Sequence, residues 1–314
     1  MLRLAALRIA QSVPVLLLVA TLTFVLMHLL PGDPAVVIAG PDASPEAIDR
    51  LRHQLGLDRP LLVQLGTWLG HLAQGDFGQS LMLNQSVVSA VVDRLPVTLS
   101  LALLAFLITI PVGIALGVLA ACNRNTWIDS VVMGVALVGV SIPSFWIAIV
   151  SVILFSVELR WLPSSGYAPL GNGIWEWLRS MTQPAVILAL FQIGYLARMT
   201  RSSMLDVLDQ DYIRTARAKG LNAWATIGKH AFRNALMSVV TVSGIILSLL
   251  IGGSVVIEQV FALPGIGRLI VQGIMARDYP LVQGTMLLLG FAFVLVNIAV
   301  DLIYTLVDPR VRYD

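Results

Sequence analysis

The sequence is short of charge, of cysteine and of every common catalytic motif, and each shortage closes off a class of function. Its 314 residues include one cysteine, Cys122, so an internal disulfide is excluded and a thiolate metal site has no second ligand. Cys122 reads as a small packing residue at a helix end. The four histidines, His28, His53, His71 and His230, are too scattered to argue for a metal centre. No G-x-x-x-x-G-K-[ST] phosphate loop, no H-E-x-x-H and no Cys/His cluster occurs. Gly139-Val140-Ser141-Ile142-Pro143 begins like a nucleophile elbow, but proline stands where the last glycine belongs and no paired His-Asp motif supports it. Charged residues make up 12% and the net charge is only +2, with basic residues not interleaved with aromatics. Nucleic acid is therefore not the partner.

What is present is apolar. A chain that is 57% hydrophobic, with mean hydropathy +0.86, lies far outside soluble composition and is an integral membrane protein. Arg3 and Arg8 precede an apolar run to about Leu30, which resembles a signal peptide in charge. The run is long enough to span a bilayer, and no small-x-small cleavage site follows, so an uncleaved first helix is expected. Further spans are expected at 97–121, 131–156, 184–200, 237–259 and 283–307, which makes six. Pro111, Pro143 and Pro184 fall in or at these helices, where neighbours satisfy the freed carbonyls. Ser141, Pro143 and Ser144 read as a kink beside a pathway. Gly113 and Gly117 form a small-xxx-small pair suited to a close helix crossing.

Orientation follows from the basic residues near helix ends. With both termini and the 201–236 loop inside, Arg3, Arg8, Arg124, Arg198, Arg201, Arg214, Arg217, Lys219, Lys229, Arg233, Arg310 and Arg312 are cytoplasmic, twelve of twenty. The positive-inside bias and the even number of spans agree with that placement.

Within the cytoplasmic loop, residues 209–221 form the most polar long stretch of the chain. Asp209 or Asp211 is placed to start a helix, Tyr212 and Ala216 fall one turn apart on one face, and Gly220 stands where a left-handed C-terminal cap is wanted. Thr215, Ala216 and Ala218 allow a partner to approach closely, while Arg214, Arg217 and Lys219 reach its acidic groups. An ordinary basic loop on the cytoplasmic side is the plainer reading. Asn222 is expected to start a second short helix carrying Trp224, Ile227, His230 and Arg233.

On the other side, residues 31–96 are expected to form a small cap with two helices. Ser44-Pro45-Glu46 starts the first, with Gly56 able to end it. The second runs from Pro60 to about Ala73, with Leu62, Leu65, Trp68, Leu69 and Leu72 on an apolar face that lies on the bundle or the membrane surface. The outer loop 260–282 follows Gly252, Gly253 and Ser254. It carries Pro264, Gly265, Gly267 and Arg268, with tight turns expected at the mouth of the bundle and Glu258 able to pair with Arg268 or Arg277. Asp301 lies within an apolar span about two turns from its cytoplasmic end, so it either serves the pathway or pairs with a basic residue there. Asn297 and Gln192 are polar enough to line a pore or bind helices together.

Arg214-Thr215-Ala216-Arg217-Ala218-Lys219-Gly220 followed by His230-Ala231-Phe232-Arg233-Asn234-Ala235 resembles the EAA loop of ABC-importer permeases, in the form used by the dipeptide and oligopeptide branch. The motif's usual Glu and first Ala are Arg214 and Thr215 here, and Ser238 stands where many members have proline. Leu30-Pro31-Gly32-Asp33-Pro34, Leu55-Gly56-Leu57-Asp58-Arg59-Pro60, Gly75-Asp76-Phe77-Gly78-Gln79-Ser80, Arg277-Asp278-Tyr279-Pro280 and Asp308-Pro309-Arg310-Val311-Arg312 resemble the same branch, in order along the whole chain.

The resemblance implies an all-α, six-helix permease of the type I importer fold in the bacterial inner membrane, a single domain over 1–314. It also implies the partners: a homologous second permease, two ATP-binding subunits that carry ATP and Mg, a periplasmic or lipoprotein solute-binding protein, and membrane lipid, with no cofactor in this chain. Tyr212, Arg214, Ala216, Arg217, Lys219, Gly220 and Leu221 would couple to the ATPases; Pro264, Gly265, Gly267 and Arg268 would meet the binding protein or simply form a re-entry turn. Nickel and glutathione importers share the pattern, so di- or oligopeptide is the expected but not the sole substrate. A secondary transporter driven by an ion gradient is the alternative of another class, opposed by the lack of a clear internal repeat.

Overall fold

The computed structural model describes residues 2–29, 32–40, 42–222 and 225–307. In chain order the helices are α1 (Leu2–Leu29), α2 (Pro34–Ala39), α3 (Pro45–Gln54) and α4 (Leu61–Ala73). A two-residue antiparallel pair follows, β1 (Gln79–Ser80) with β2 (Gln85–Ser86), in the register Gln79 opposite Ser86. Then come α5 (Val87–Cys122), α6 (Trp127–Ser141), α7 (Ser144–Ser151), α8 (Ile174–Leu208), α9 (Asp211–Ala218), α10 (Arg233–Val260), α11 (Ile266–Met275) and α12 (Tyr279–Val307). Wider π-type turns extend α7 over Val152–Glu158 and precede α10 over Thr226–Phe232.

Among the described residues, five helical segments are long and apolar enough to cross a membrane, and the α6–α7 pair makes a sixth if it is one span. That pair is bent by 97°. The cause is local: Pro143 lacks an N–H and its ring pushes the preceding Ile142 out of the helical region, to φ −87° and ψ 130°. The kink expected at Ser141, Pro143 and Ser144 within 131–156 is thus a sharp corner between two helices. Two other limits also move. α5 begins at Val87, where Ser86 Oγ accepts from the Ser89 N–H at 3.1 Å, so the helix starts ten residues before the span expected at 97–121. Asp93, Arg94 and Pro96 in its first turns disguise that start. α10 continues through Gly252 and Gly253 to Val260, and these glycines are helical and form no turn.

The chain divides into two compact units, Met1–Pro96 with Pro264–Leu295, and Val97–Leu263 with Val296–Asp314. In the first, α3 starts where Ser44 Oγ accepts from Ala47 N–H and Pro45 occupies the first turn. Asp33 caps α2 through the Ala35 N–H (2.9 Å) and is clasped by Arg52 Nε (3.2 Å) and Nη2 (2.5 Å). Burial pulls the Asp33 carboxyl up, but Arg52 and the Ala35 N–H outweigh it and hold its pKa below the usual carboxylate value. A depressed pKa contributes stability that is complete above the ordinary value of about 4 and is lost as pH falls through the lowered one. Limited proteolysis of residues 34–60 is thus expected to stay slow to below pH ~4, and Arg52→Gln to move its onset upward.

The same unit joins two of the phrases noted above. Asp278, 1% exposed, accepts from Ser80 Oγ (2.6 Å), Met82 N–H (2.9 Å) and Leu281 N–H (3.0 Å), so it caps α12 and ties down the β1 turn at once. Val87, Ala90, Ile266, Leu269, Ile270 and Leu281 form the core there, and α11 is the element that supplies its centre.

In the second unit α8 is central. Its spanning window is 67% buried, whereas the other four windows range from 22% to 44%. Small residues let its neighbours in: a Cβ on Gly117 would lie 2.6 Å from Ala197 O, and one on Gly194 would lie 2.6 Å from Ala136 O. Backbone cannot retreat as a side-chain tip does. Gly194→Val is expected to force α6 off α8 at a cost of about 1–3 kcal/mol, read as a lower melting temperature of the detergent-solubilised protein.

Candidate functional site

The polar stretch 209–221 builds a single short helix fixed at both ends. Its first turn is opened by the Gln210 carbonyl, which accepts from Ile213 (3.1 Å) and Arg214 (3.4 Å) N–H groups, so the cap falls between the two aspartates expected to supply it. Asp209 ends α8 and Asp211 is the first residue of α9. At the other end Gly220 has φ +81°, a conformation that costs a residue with a Cβ, and the Leu221 N–H reaches back to Ala216 O at 3.3 Å. Asn222 then opens the next turn, its side chain accepting from the Ala225 N–H at 2.7 Å. The helix that follows is not separate: it runs through the π-type turn into α10, with no break at Ser238.

Ile213 decides how α9 is held. It is fully buried, in a cluster with Ala121 of α5, Met204 of α8, and Ala231 and Ala235 beneath it. Tyr212 Oη accepts from Asn234 Nδ2 at 2.7 Å, a second clamp on the same side. With that face occupied, Arg214, Thr215, Ala218, Lys219 and Gly220 are exposed, and Ala216 and Leu221 are half-buried. The side chains of Arg217 and Asp301, Trp224, and the ending 308–314 lie outside the described residues.

A buried ion pair underpins this end of the bundle. Asp129, in the first turn of α6 and 5% exposed, takes both Arg201 Nε and Nη2 of α8 at 2.6 Å. It also accepts from the Asn125 N–H at 3.2 Å. Arg124 Nη1 reaches Asp209 at 3.0 Å just before α9. Sequence reasoning treated Arg124 and Arg201 only as topological charges and passed over Asp129 and Ile213. A lone acid four residues past a helix-breaking Asn-Arg-Asn turn was the available signal for Asp129.

The other singled-out residues are dispersed. Ser141 Oγ donates to Leu137 O (2.8 Å) at the corner, and Ser144 is half-buried in the first turn of α7. Gln192 is 6% exposed in mid-α8, and its Oε1 has no hydrogen-bond partner among the described residues. Asn297 Oδ1 accepts from Ser248 Oγ of α10 at 3.2 Å. Glu258, fully buried, accepts from Thr98 Oγ1 (2.7 Å) and Ser254 Oγ (3.0 Å). Pro264 and Gly265 lead into α11, and Gly267 and Arg268 lie inside it, so the stretch expected as turns is largely a ten-residue amphipathic helix. Among the described residues no group of acids, histidines and cysteines could hold a metal ion.

Comparison with known proteins gives this arrangement its context. The model of the binding-protein-dependent transport system inner membrane component matches residues 113–313, and its N-terminal companion matches 1–102. The chain belongs to that family. It is a permease subunit of an ABC importer, a multi-pass, all-α membrane protein whose family works with a substrate-binding protein and with ATPase partners that carry the catalysis.

A protein of Brucella abortus (strain 2308) named as a peptide transport system permease is 65% identical over 98% of both chains. A peptide ABC transporter permease of Sinorhizobium fredii (strain NBRC 101917 / NGR234) is 40% identical over 98% of both. The glutathione transport system permease of Salmonella choleraesuis (strain SC-B67) is 42% identical over 98% of this chain and 97% of its own. Among solved structures, a chain of the MetNI methionine ABC transporter in inward-facing conformations superposes with TM-score 0.60 at 21% identity, covering 70% of this chain and 97% of that one. That likeness speaks to the fold of the permease.

Proposed function

We propose that this permease forms half of the pathway of a peptide importer and that α9 is the piece through which ATP hydrolysis drives it. The observation that carries the coupling role is the build of α9. A buried Ile213 and the Tyr212–Asn234 bond fix one face to the bundle, a left-handed Gly220 sets its end, and the exposed face is basic. A lever needs this: rigid attachment on one side and a charged, accessible face on the other. Two ATPase subunits holding ATP and Mg close on the coupling helices of this chain and a homologous second permease. Closure opens the pathway toward the binding protein, and hydrolysis resets it. Both termini and α9 then lie in the cytoplasm, with the 31–96 cap and α11 outside, where Pro264, Gly265, Gly267 and Arg268 face the binding protein. Ser141, Ser144, Gln192, Asn297 and Asp301 are the pathway candidates; among those whose side chains are described, Gln192 has an unfilled buried acceptor.

The peptide assignment rests on relatives of the highest identity quoted above, and the glutathione permease keeps that tripeptide within the same substrate class. Uptake of labelled di-, tri- and oligopeptides into cells with and without this chain tests it, with unlabelled glutathione as competitor. Loss of peptide uptake in the deletion supports the reading; unchanged uptake of every peptide while glutathione or nickel uptake disappears replaces the substrate.

A further inference from the structure

Helix α4 runs back along the end of α1. His28 bonds Gln64 Oε1 at 3.1 Å, and one turn earlier on α1 the Phe24 ring stacks on Trp68, one turn later on α4, with centroids 6.1 Å apart. The meeting of His28 with Gln64 fixes a protonation state as well as a packing. Gln64 Nε2 donates to the Arg59 carbonyl at 2.7 Å and to the Leu57 carbonyl at 3.3 Å, so turning the amide over would set its oxygen against two others. Oε1 therefore faces His28 Nε2, and an amide oxygen only accepts. The other ring nitrogen, Nδ1, lies 2.8 Å from the Phe24 carbonyl, which also only accepts. Turning the ring over would put carbon where both nitrogens stand and satisfy neither oxygen. Both hydrogen bonds exist together only when both nitrogens carry a proton, that is, when His28 is an imidazolium.

The surroundings suit a cation. His28 lies in the last turn of α1, where unpaired carbonyls give a helix end its partial negative charge. The Phe24 ring is 4.2 Å away and tilted by 34°, within reach of a cation–π contact, and the Tyr279 ring of α12 meets the imidazole at 5.1 Å and 63°. Protons reach the ring from an open recess of about 360 Å³ that His28 lines together with His53, Arg59, His71 and Asp76. Of the titratable and charged groups around it, His71 comes from α4, His53, Arg59 and Asp76 from the segments flanking that helix, and Tyr279 from α12, with Asp33 and Arg277 acting on the tyrosine. The last turns of α1 carry no other ionisable side chain. His53 is held by Asp58 at 2.9 Å and His71 stands 3.9 Å from Asp76, so neither forms the α1–α4 contact.

We propose that His28 is a proton-operated latch on the cap: charged, it ties α4 to the end of α1 through the Gln64 side chain, and uncharged, it releases it. The neutral ring has one hydrogen for two acceptors, so either the Phe24 carbonyl or Gln64 Oε1 is left unpaired and α4 loosens. The hold is complete in acid and is lost as pH rises. The Asp33–Arg52 clasp has the opposite sign and is lost as pH falls, so the cap is tightest between the two losses.

The test follows hydrogen–deuterium exchange of residues 61–73 in the assembled importer in lipid nanodiscs, with rates corrected for the intrinsic pH dependence of amide exchange. Measurements at about pH 5 and about pH 8.5 bracket the range in which histidines change charge. Protection of 61–73 is expected to be roughly tenfold greater at the lower pH, the size of one charge-assisted hydrogen bond, while protection of 184–200 in α8 is unchanged. His28→Gln and, separately, Gln64→Leu remove the difference. Gln64→Glu keeps an acceptor and adds a charge that favours the imidazolium, so the loss of protection moves to higher pH, which a merely structural contact would not do. His53→Gln and His71→Gln keep the unmodified response. The proposal is overturned if 61–73 is equally protected at both pH values, or if α8 loses protection to the same degree. It is overturned equally if the response survives in folded His28→Gln or Gln64→Leu, keeps its midpoint in Gln64→Glu, or disappears with His53 or His71 instead.

Discussion

Gly220→Val separates ATP hydrolysis from import. The substitution meets no clash, since nothing lies within 4 Å of a Cβ placed there; the cost is in the backbone, at φ +81°. A β-branched residue disfavours that conformation by about 1–2 kcal/mol, so the chain relaxes, the Leu221 N–H loses Ala216 O, and the exposed end of α9 rotates away. Ile213 keeps the helix on the bundle, so the protein still inserts and assembles. Import is expected to fall roughly tenfold, the size of a coupling change of about 1.4 kcal/mol, with basal ATPase retained and its stimulation by loaded binding protein reduced. Gly220→Asn, which tolerates the left-handed region, recovers most of the loss. Equal import and stimulation in the valine variant would remove α9 from the coupling role.

The second large effect is on assembly of the bundle. Asp129→Ala leaves Arg201 half-buried without its carboxylate, and breaking a buried pair on one side costs about 3 kcal/mol because the remaining charge stays desolvated. Melting temperature and membrane abundance both drop. Replacing both, Asp129→Leu with Arg201→Met, restores much of the stability, because the cost of the single change is the orphaned charge. Equal losses in the single and double variants would contradict this. The pair also braces α6 against α8 next to Asp209 and α9, so the double variant, stable but unbraced, is expected to import more slowly than its melting temperature suggests.

Local chemistry was legible in the sequence and partnership at a distance was not. Ser44-Pro45 did start a helix, Gly220 did take the left-handed cap, and Pro143 did break its span, because each rests on one residue's own backbone preference. The family was also visible, because it is written in ordered phrases along the whole chain. Asp129 with Arg201, Ser80 with Asp278, and Ile213 with Met204 are 72, 198 and 9 residues apart; nothing in either partner's neighbourhood announces the other. Helix α11 was hidden for a different reason. Phe261-Ala262-Leu263-Pro264-Gly265-Ile266-Gly267 reads as turn chemistry, and only the apolar spacing of Ile266, Leu269, Ile270 and Ile274 reveals the helix. The first turns of α5, ahead of the expected span, were not legible because Asp93, Arg94 and Pro96 resemble the loop before a helix.

The measurement that bears most directly on the whole account is substrate uptake in proteoliposomes holding this chain with its second permease, both ATPases and the binding protein. The account predicts uptake that requires ATP inside with the ATPases and loaded binding protein outside, is abolished by disabling the ATPases, and is indifferent to collapse of proton and sodium gradients. Uptake that persists without functional ATPases and stops when the gradients are collapsed would contradict it, and would make the protein a gradient-driven transporter.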